Sequence, residues 1–392
     1  MRSHLALLMA LLALSGVLHA QKPRERDLKL PIGGTAGPLD AITDVAGVEV
    51  GHTTLISGSG KLVVGQGPVR TGVTIVHPRG RANNDPVFAA WFTLNGNGEM
   101  TGTTWIQESG LLEGPIAITN THSVGVVRDA LVEAQVRERG DGLYWSLPVV
   151  GETYDGVLND INGHHVRAQH VHDALASAGD GPVAEGNVGG GTGMICHDFK
   201  GGIGTSSRVT DTATGQYTVG VLVQANHGRR ERLRINGVPV GELIGPEDVP
   251  LPEIPARYEP GSGSIIAIVA TDAPLLPHQC ARLAQRAALG VARTGGSGEQ
   301  YSGDLMLAFA TGNRGIPPYA WDEDVDTARP EIPLKMVAPQ LMTRLFDSTI
   351  EATEEAIVNA IVAATTLTGR NGITVHAIDH TRLRRVFTDS AG

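Results

Sequence analysis

The sequence predicts a layered α/β fold, on two patterns and one compositional excess. Short Val/Ile-rich runs with little polar interruption recur along the chain, the mark of strands buried on both faces. Segments with an apolar stripe at helical spacing alternate with them, and such alternation packs helices onto sheets. Glycine supplies 51 of 392 residues, about 13% against an average of roughly 7%. No Gly-X-Y period accompanies it, so collagen is excluded and close approach of backbones is favoured. A hydrophobic content of 41% fills a sizeable core and excludes global disorder. The net charge of −10 disfavours any chain-wide attraction to nucleic acid or anionic lipid.

Taken in order, Met1–Ala20 has a basic start at Arg2, an apolar run over Leu5–Leu18 and Leu18-His19-Ala20 before a cleavage point. The run is too short to span about 30 Å of hydrocarbon, so it reads as a cleaved secretory signal and the product as periplasmic or secreted. Gln21 to about Leu39 is polar and rich in Pro and Gly, which predicts a tail or linker. Strands are expected at Gly72–His77, Val87–Asn95, Ile116–Thr121, Tyr217–Ala225, Ser264–Asp272, Asp304–Thr311 and Gly372–Ile378. Helices are expected at His122–Arg139, His164–Ser177, Pro277–Val291 and Ala338–Thr368. In the last, Met342, Phe346, Ile350, Ile357, Ala360, Ile361 and Ala364 form the apolar stripe, and Glu351, Glu354 and Glu355 are expected on a solvated face. Pro246–Gly263 holds five prolines and four acids and reads as an exposed, extended connector.

Most chemical motifs are absent. The glycine-rich Gly186–Gly204 contains no GxGxxG, and no GxxxxGK[ST] occurs in the chain, so its glycines point to close packing of a hairpin or strand pair. His164, His165, His170 and His172, with Asp160 and Asp173, lack HExxH spacing and read as a solvated or capping cluster. Cys196 and Cys280 read as small buried residues rather than a bridge, and without a CxxC neither suggests a thiolate metal site or redox motif. No GxSxG elbow is present.

The junction Gly261-Ser262-Gly263-Ser264-Ile265-Ile266 admits two readings. One is a flexible turn. In the other, a serine hydroxyl attacks the carbonyl of the glycine before it, and the acyl group shifts from N to O. Hydrolysis of the ester then leaves a chain that begins with serine. Its α-amine, with an ordinary pKa near 7.7–8.0, would be a general base beside its own nucleophile.

GNVGGGTGM, KGGIGTSSR (Lys200–Arg208), QANHGRR (Gln224–Arg230), GSIIAIVATDAPLLPHQ (Gly263–Gln279), ARTGG (Ala292–Gly296) and SGDLMLAF (Ser302–Phe309) together resemble the DmpA-type aminopeptidase family. That family comprises L-aminopeptidase/D-amino-acid esterases and β-peptidyl aminopeptidases, and the resemblance runs from about Leu39 to Phe387. It implies a four-layer αββα sandwich like that of N-terminal-nucleophile hydrolases, with residues 39–392 as one catalytic domain. Self-cleavage would give a long chain, 21–263, and a short chain, 264–392, that stay associated. The family nucleophile falls on Ser264, with the cut after Gly263 and Ser262 as the alternative. Ser302 and Asp304 match the serine and acid that orient the new terminus; some members carry Glu at the acid position. Asn226 matches the oxyanion donor and Tyr154, in GETYDG, the tyrosine beside it. The resemblance implies small peptide, amide or ester substrates, neither metal nor organic cofactor, and a homo-oligomer of cleaved heterodimers, commonly tetrameric. An acyltransferase of related architecture and a non-catalytic binding protein on the same fold are the competing readings.

Overall fold

The computed structural model describes residues 22–83, 85–140, 145–213, 215–254, 263–317 and 331–389. Its elements begin with helix α1 (Glu25–Leu28), strands β1 (Glu49–Ser57), β2 (Val69–His77) and β3 (Val87–Gly96), and helix α2 (Thr103–Ser109). Strands β4 (Leu111–Leu112) and β5 (Ile116–Asn120), helix α3 (Val124–Arg139), strand β6 (Val149–Thr153) and helix α4 (Ala168–Ser177) follow. A short hairpin of β7 (Ile195–Cys196) and β8 (Phe199–Lys200) leads into β9 (Gly202–Thr212), β10 (Gly215–Asn226) and helix α5 (Val240–Leu243). The chain continues through β11 (Ser264–Thr271), α6 (Pro277–Arg293), β12 (Gly303–Ala310) and α7 (Met342–Val362). It ends with β13 (Leu367–Thr368), β14 (Thr374–Val375) and α8 (His380–Asp389).

The fold is mixed α/β, built on a four-stranded sheet in the order β1-β2-β5-β6 and a six-stranded sheet in the order β4-β3-β12-β11-β10-β9. Three apolar interfaces stack the layers. Ile265, Ala267 and Val269 of β11 pack with Leu283 and Ala287 of α6 and Ala356 and Ala360 of α7. The alternate residues Ile266, Ile268 and Ala270 meet Val76, Ile118 and Val149 of the other sheet. On that sheet's far face Val73, Ile75 and Val150 pack with Val127, Leu131 and Val171 of α3 and α4. The continuous apolar run at Ser264–Thr271 is thus one strand with side chains alternating between two cores. It pairs antiparallel with β10 and parallel with β12, and α6 makes the crossover that a parallel pair requires.

Six of the seven expected strands match observed ones to within three residues at each end; Gly372–Ile378 contributes only the two residues of β14. The longer strands β1, β6 and β9 and the two-residue β4 and β13 were not anticipated. In β9 both faces are buried and polar: Thr205, Ser206, Ser207 and Arg208 are all buried and bonded to other segments. The glycine-rich stretch is a 3-10 turn, Gly189–Gly193, then the short hairpin and the start of β9. A Cβ on Gly202 would stand 2.0 Å from the Gly186 carbonyl oxygen, so close backbone packing accounts for glycine there. The described part of the proline-rich connector, residues 246–254, is mostly exposed; Met1–Ala20 and Ser262 lie outside the described residues.

Two expectations are corrected. Residues 22–39 are not a loose tail. Arg24 is buried, paired with Glu185 at 2.7 Å, and donates to the carbonyls of Leu39, Asp40 and Thr205. Nor do Glu354 and Glu355 face solvent: both are fully buried. Glu355 pairs with Arg208 at 2.6 Å and Arg26 at 3.0 Å; Glu354 pairs with Arg293 at 2.8 Å and accepts the Asn236 N–H. The N-terminal segment, β9 and α6 all pack on α7, so its polar side is covered by charge partners rather than water. Glu351 is half-buried, 3.7 Å from Arg208.

Candidate active site

Ser264 opens β11 and is 3% exposed. Register places it opposite Asn226, the last residue of β10, and beside Gly303, the first of β12. The Gly263 carbonyl accepts the Gly303 N–H at 3.1 Å. Glycine is required before the serine by space: a Cβ on Gly263 would lie 2.1 Å from the Asn226 carbonyl oxygen and 3.0 Å from His227 Cα. Among the described residues the Ser264 hydroxyl carries no hydrogen bond, and it faces a cavity of ≈ 740 Å³.

Asn226 and Tyr154 line the same cavity. The Asn226 side chain is oriented by two backbone groups: Oδ1 accepts the Ile195 N–H at 2.8 Å and Nδ2 donates to the Tyr154 carbonyl at 3.0 Å. One amide hydrogen is therefore committed and the other is available to the cavity. Ser302 and Asp304 flank Gly303 on the far side of Ser264, both buried. The Ser302 hydroxyl donates to Asp304 Oδ1 at 2.6 Å, and the Ile265 N–H also donates to that carboxylate. Burial, with Glu299 adding repulsion, nonetheless raises the Asp304 pKa to about 6. The five side chains expected from the sequence are thus brought to one place, with Ser302 and Asp304 packed alongside the head of β11.

Two groups in the site were missed. Glu152, on β6, is buried in the cavity wall, where it accepts the Glu99 N–H at 2.9 Å and the Thr121 hydroxyl at 2.5 Å. Burial raises its pKa, and those two hydrogen bonds hold it down in part. It stands two residues before Tyr154 in GETYDG, and a period of two along a strand is the signal that links them. The other is the Gly303 N–H, a backbone group with no side-chain signature. Around these polar groups the cavity is walled by Val157, Ile195, Leu251, Pro252 and Ile254.

The remaining candidates do not converge on the cavity. His170 accepts the Arg167 N–H at 3.1 Å and caps α4, His165 pairs with Asp160 at 2.8 Å, and His172 lies 3.3 Å from Glu133. Cys196 and Cys280 are both free and buried. Among the described residues no helix is long and apolar enough to cross a membrane.

The chain is similar to known proteins over nearly all of its length. The model of peptidase family S58 matches residues 40–375. The β-peptidyl aminopeptidase BapA of Sphingosinicella microcystinivorans is 50% identical over 383 residues, 95% of this chain and 94% of that protein. The structure of a β-aminopeptidase from Burkholderia sp. is 53% identical and superposes with a TM-score of 0.83, covering 94% of this chain and 99% of that one. The L-aminopeptidase D-Ala-esterase/amidase of Ochrobactrum anthropi, described as a prototype serine aminopeptidase with a variant of the Ntn hydrolase fold, is 43% identical. Its TM-score is 0.85, over 94% of this chain and 99% of that one. With a family model across most of its length and relatives this similar over nearly all of it, the chain belongs to peptidase family S58 and is a hydrolase of the aminopeptidase kind.

Proposed function

We propose that the chain is a self-processing aminopeptidase whose nucleophile is Ser264, on a four-layer αββα sandwich cut between Gly263 and Ser264. The observation that carries this reading is the setting of Ser264. It heads a buried strand beside a sterically confined glycine and faces a large cavity together with an oriented amide.

In processing, Ser264 Oγ attacks the Gly263 carbonyl carbon while the Gly303 N–H, already on that oxygen, stabilises the developing negative charge. The C–N bond breaks, the nitrogen takes the hydroxyl proton, and water hydrolyses the resulting ester to a Gly263 carboxylate and a free Ser264 amine. In turnover the new amine accepts the Ser264 hydroxyl proton as Oγ attacks the substrate carbonyl, then passes it to the leaving amine. Asn226 Nδ2 and the Tyr154 hydroxyl donate to the oxyanion, and water releases the acyl group. Ser302 and Asp304 hold the Ser264 amine in place. Glu152 receives the substrate's terminal ammonium, which makes the enzyme an aminopeptidase rather than an endopeptidase. The aliphatic cavity wall suits small peptides, amides and esters. Similarity to a β-peptidyl aminopeptidase supports β-amino-acid N-termini among them. Removal of residues 1–20 on export precedes these steps.

Terminal sequencing and intact mass of the purified protein test the proposal. Two chains are expected, the shorter beginning at Ser264. Ser264→Ala is expected to remain one intact, inactive chain. An active wild-type protein with an unbroken backbone, or normal cleavage in Ser264→Ala, would overturn it.

A further inference from the structure

We infer that Cys196, His197 and His227 form a thiophilic metal site, suited to Cu(I), next to the cavity that Asn226 and His227 line. All three are buried, and one ligand atom from each lies within 4.8 Å of the others. Cys196 Sγ is 3.9 Å from His227 Nδ1. Bond lengths of about 2.3 Å to sulfur and about 2.0 Å to nitrogen put sulfur and nitrogen roughly 3.7 Å apart around a three-coordinate ion, so the Cys196–His227 pair already has that spacing and the third ligand closes by roughly 1 Å at most.

The state of His197 is the second observation. Its Nδ1 lies 3.0 Å from the Arg229 carbonyl oxygen, which can only accept, so Nδ1 carries the proton and Nε2 presents a bare lone pair. That nitrogen is buried and has no partner. A histidine whose far nitrogen donates to a backbone carbonyl is the usual supported form of a metal ligand. His227 presents its Nδ1 to the thiol. A bare buried nitrogen such as His197 Nε2 is costly unless an acceptor of its lone pair joins it.

Charge selects the ion. Binding displaces the thiol proton to solvent, and a thiolate with Cu(I) leaves the enclosed site neutral, whereas Zn²⁺ would leave a net positive charge. Among the described residues no fourth His, Cys, Asp or Glu completes a tetrahedron with these three. Soft sulfur and imidazole ligands in low coordination suit Cu(I). His227 and its neighbour Gly228 line the cavity, which gives the ion a route in. The sequence hid this group, because a lack of CxxC spacing excludes only local thiolate sites. Here the ligands come from the end of β7, the turn after it and the residue after β10.

Occupancy is also coupled to catalysis. His227 follows Asn226 in the chain, and its own carbonyl accepts the His197 N–H at 2.8 Å. Drawing the two rings together therefore moves the backbone that carries the oxyanion amide. This coupling rests on the aminopeptidase reading; metal binding does not.

The test is anaerobic titration of the purified full protein with Cu(I), in competition with a chromogenic Cu(I) chelator. One equivalent is expected to bind, with a thiolate-to-copper absorption band, and Cys196→Ala and His197→Gln are each expected to weaken it by about 100-fold or more. X-ray absorption on wild-type protein, which needs no variant to fold, should show one sulfur and two nitrogen neighbours. No stoichiometric binding, affinity unchanged in Cys196→Ala, a different shell, or a preference for Zn²⁺ would each overturn the assignment. Cu(I) should slow peptide hydrolysis in wild type and have little effect on Cys196→Ala, each measured against its own metal-free rate. Full occupancy with unchanged turnover would overturn the coupling alone.

Discussion

Gly263→Ala is the most direct probe of the processing geometry. The added Cβ would sit 2.1 Å from the Asn226 carbonyl oxygen and 3.0 Å from His227 Cα. The first contact is over 1 Å inside ordinary heavy-atom separation, roughly 3.5 Å, and both obstacles are backbone rather than the end of a flexible side chain. The strand pair must part, or the residue must swing away and carry the Gly263 carbonyl off the Gly303 N–H it now meets at 3.1 Å. Overpacking of this kind costs about 1–3 kcal/mol, which, charged to the transition state for N-to-O transfer, slows processing about 5- to 160-fold. The assay is a time course of precursor conversion on a denaturing gel after synthesis in a cell-free system. Thermal unfolding of Gly263→Ala/Ser264→Ala against Ser264→Ala measures the ground-state cost separately. Conversion at the wild-type rate or faster would refute the argument that glycine is there to hold the scissile carbonyl in register.

Four further outcomes are expected. Asn226→Ala in processed enzyme should lower turnover by roughly 10²–10³ as one oxyanion donor is lost; a near-wild-type rate would remove it from the site. Glu152→Gln should lower kcat/KM for substrates with a free terminal amine by about 10- to 150-fold, the value of a charge-assisted hydrogen bond of about 1.5–3 kcal/mol, and should leave N-acetylated substrates as poor as before. Activity should rise with pH through about 6 as Asp304 ionises; Ser302→Ala, which removes a bond that stabilises the carboxylate, should move that limb upward. Unfolding does not mimic this limb, because a carboxyl raised from 3.8 to about 6 by burial makes the fold less stable as pH climbs, not more. Glu355→Ala leaves the buried Arg208 with Asp40 and Glu351, each 3.7 Å away, as its only carboxylate contacts, and should cost about 3 kcal/mol of stability by chemical denaturation.

What the residues disclose depends on whether the information is local. Ser264–Thr271 reads as a doubly buried strand because every position in it is apolar or small, whichever core it faces. The stripe on α7 is legible for the same reason. β9 is not, since Thr205, Ser206 and Ser207 look like a surface strand. Each is buried through a partner elsewhere: the Ser206 hydroxyl donates to Ala352, 146 residues away in sequence. Glu355 is the sharper case. Helical periodicity places it opposite the apolar stripe, and solvent is the ordinary occupant of that side; here Arg26, 329 residues distant, and Arg208 occupy it instead. Periodicity locates the edge of the apolar core, not the edge of the protein, and the two diverge wherever charges are buried in pairs.

The site divides along the same line. Ser264, Ser302, Asp304, Asn226 and Tyr154 sit in short motifs whose order could be matched to a family, and the fold gathers them at the head of β11. Glu152, the Gly303 N–H and the Cys196–His197–His227 group have no such motif, because each acquires its meaning from what another segment brings against it. The Gly303 N–H makes the point most clearly. Any residue but proline supplies that donor, so its identity carries no chemistry. What matters is that β12 runs parallel to β11 in a register that sets Gly303 beside Ser264. Replacing Gly303 by alanine would test position rather than chemistry: a Cβ there would lie 2.5 Å from the Asn97 carbonyl oxygen. The donor would be retained but displaced, and on this reasoning processing slows although every hydrogen-bonding group is still present.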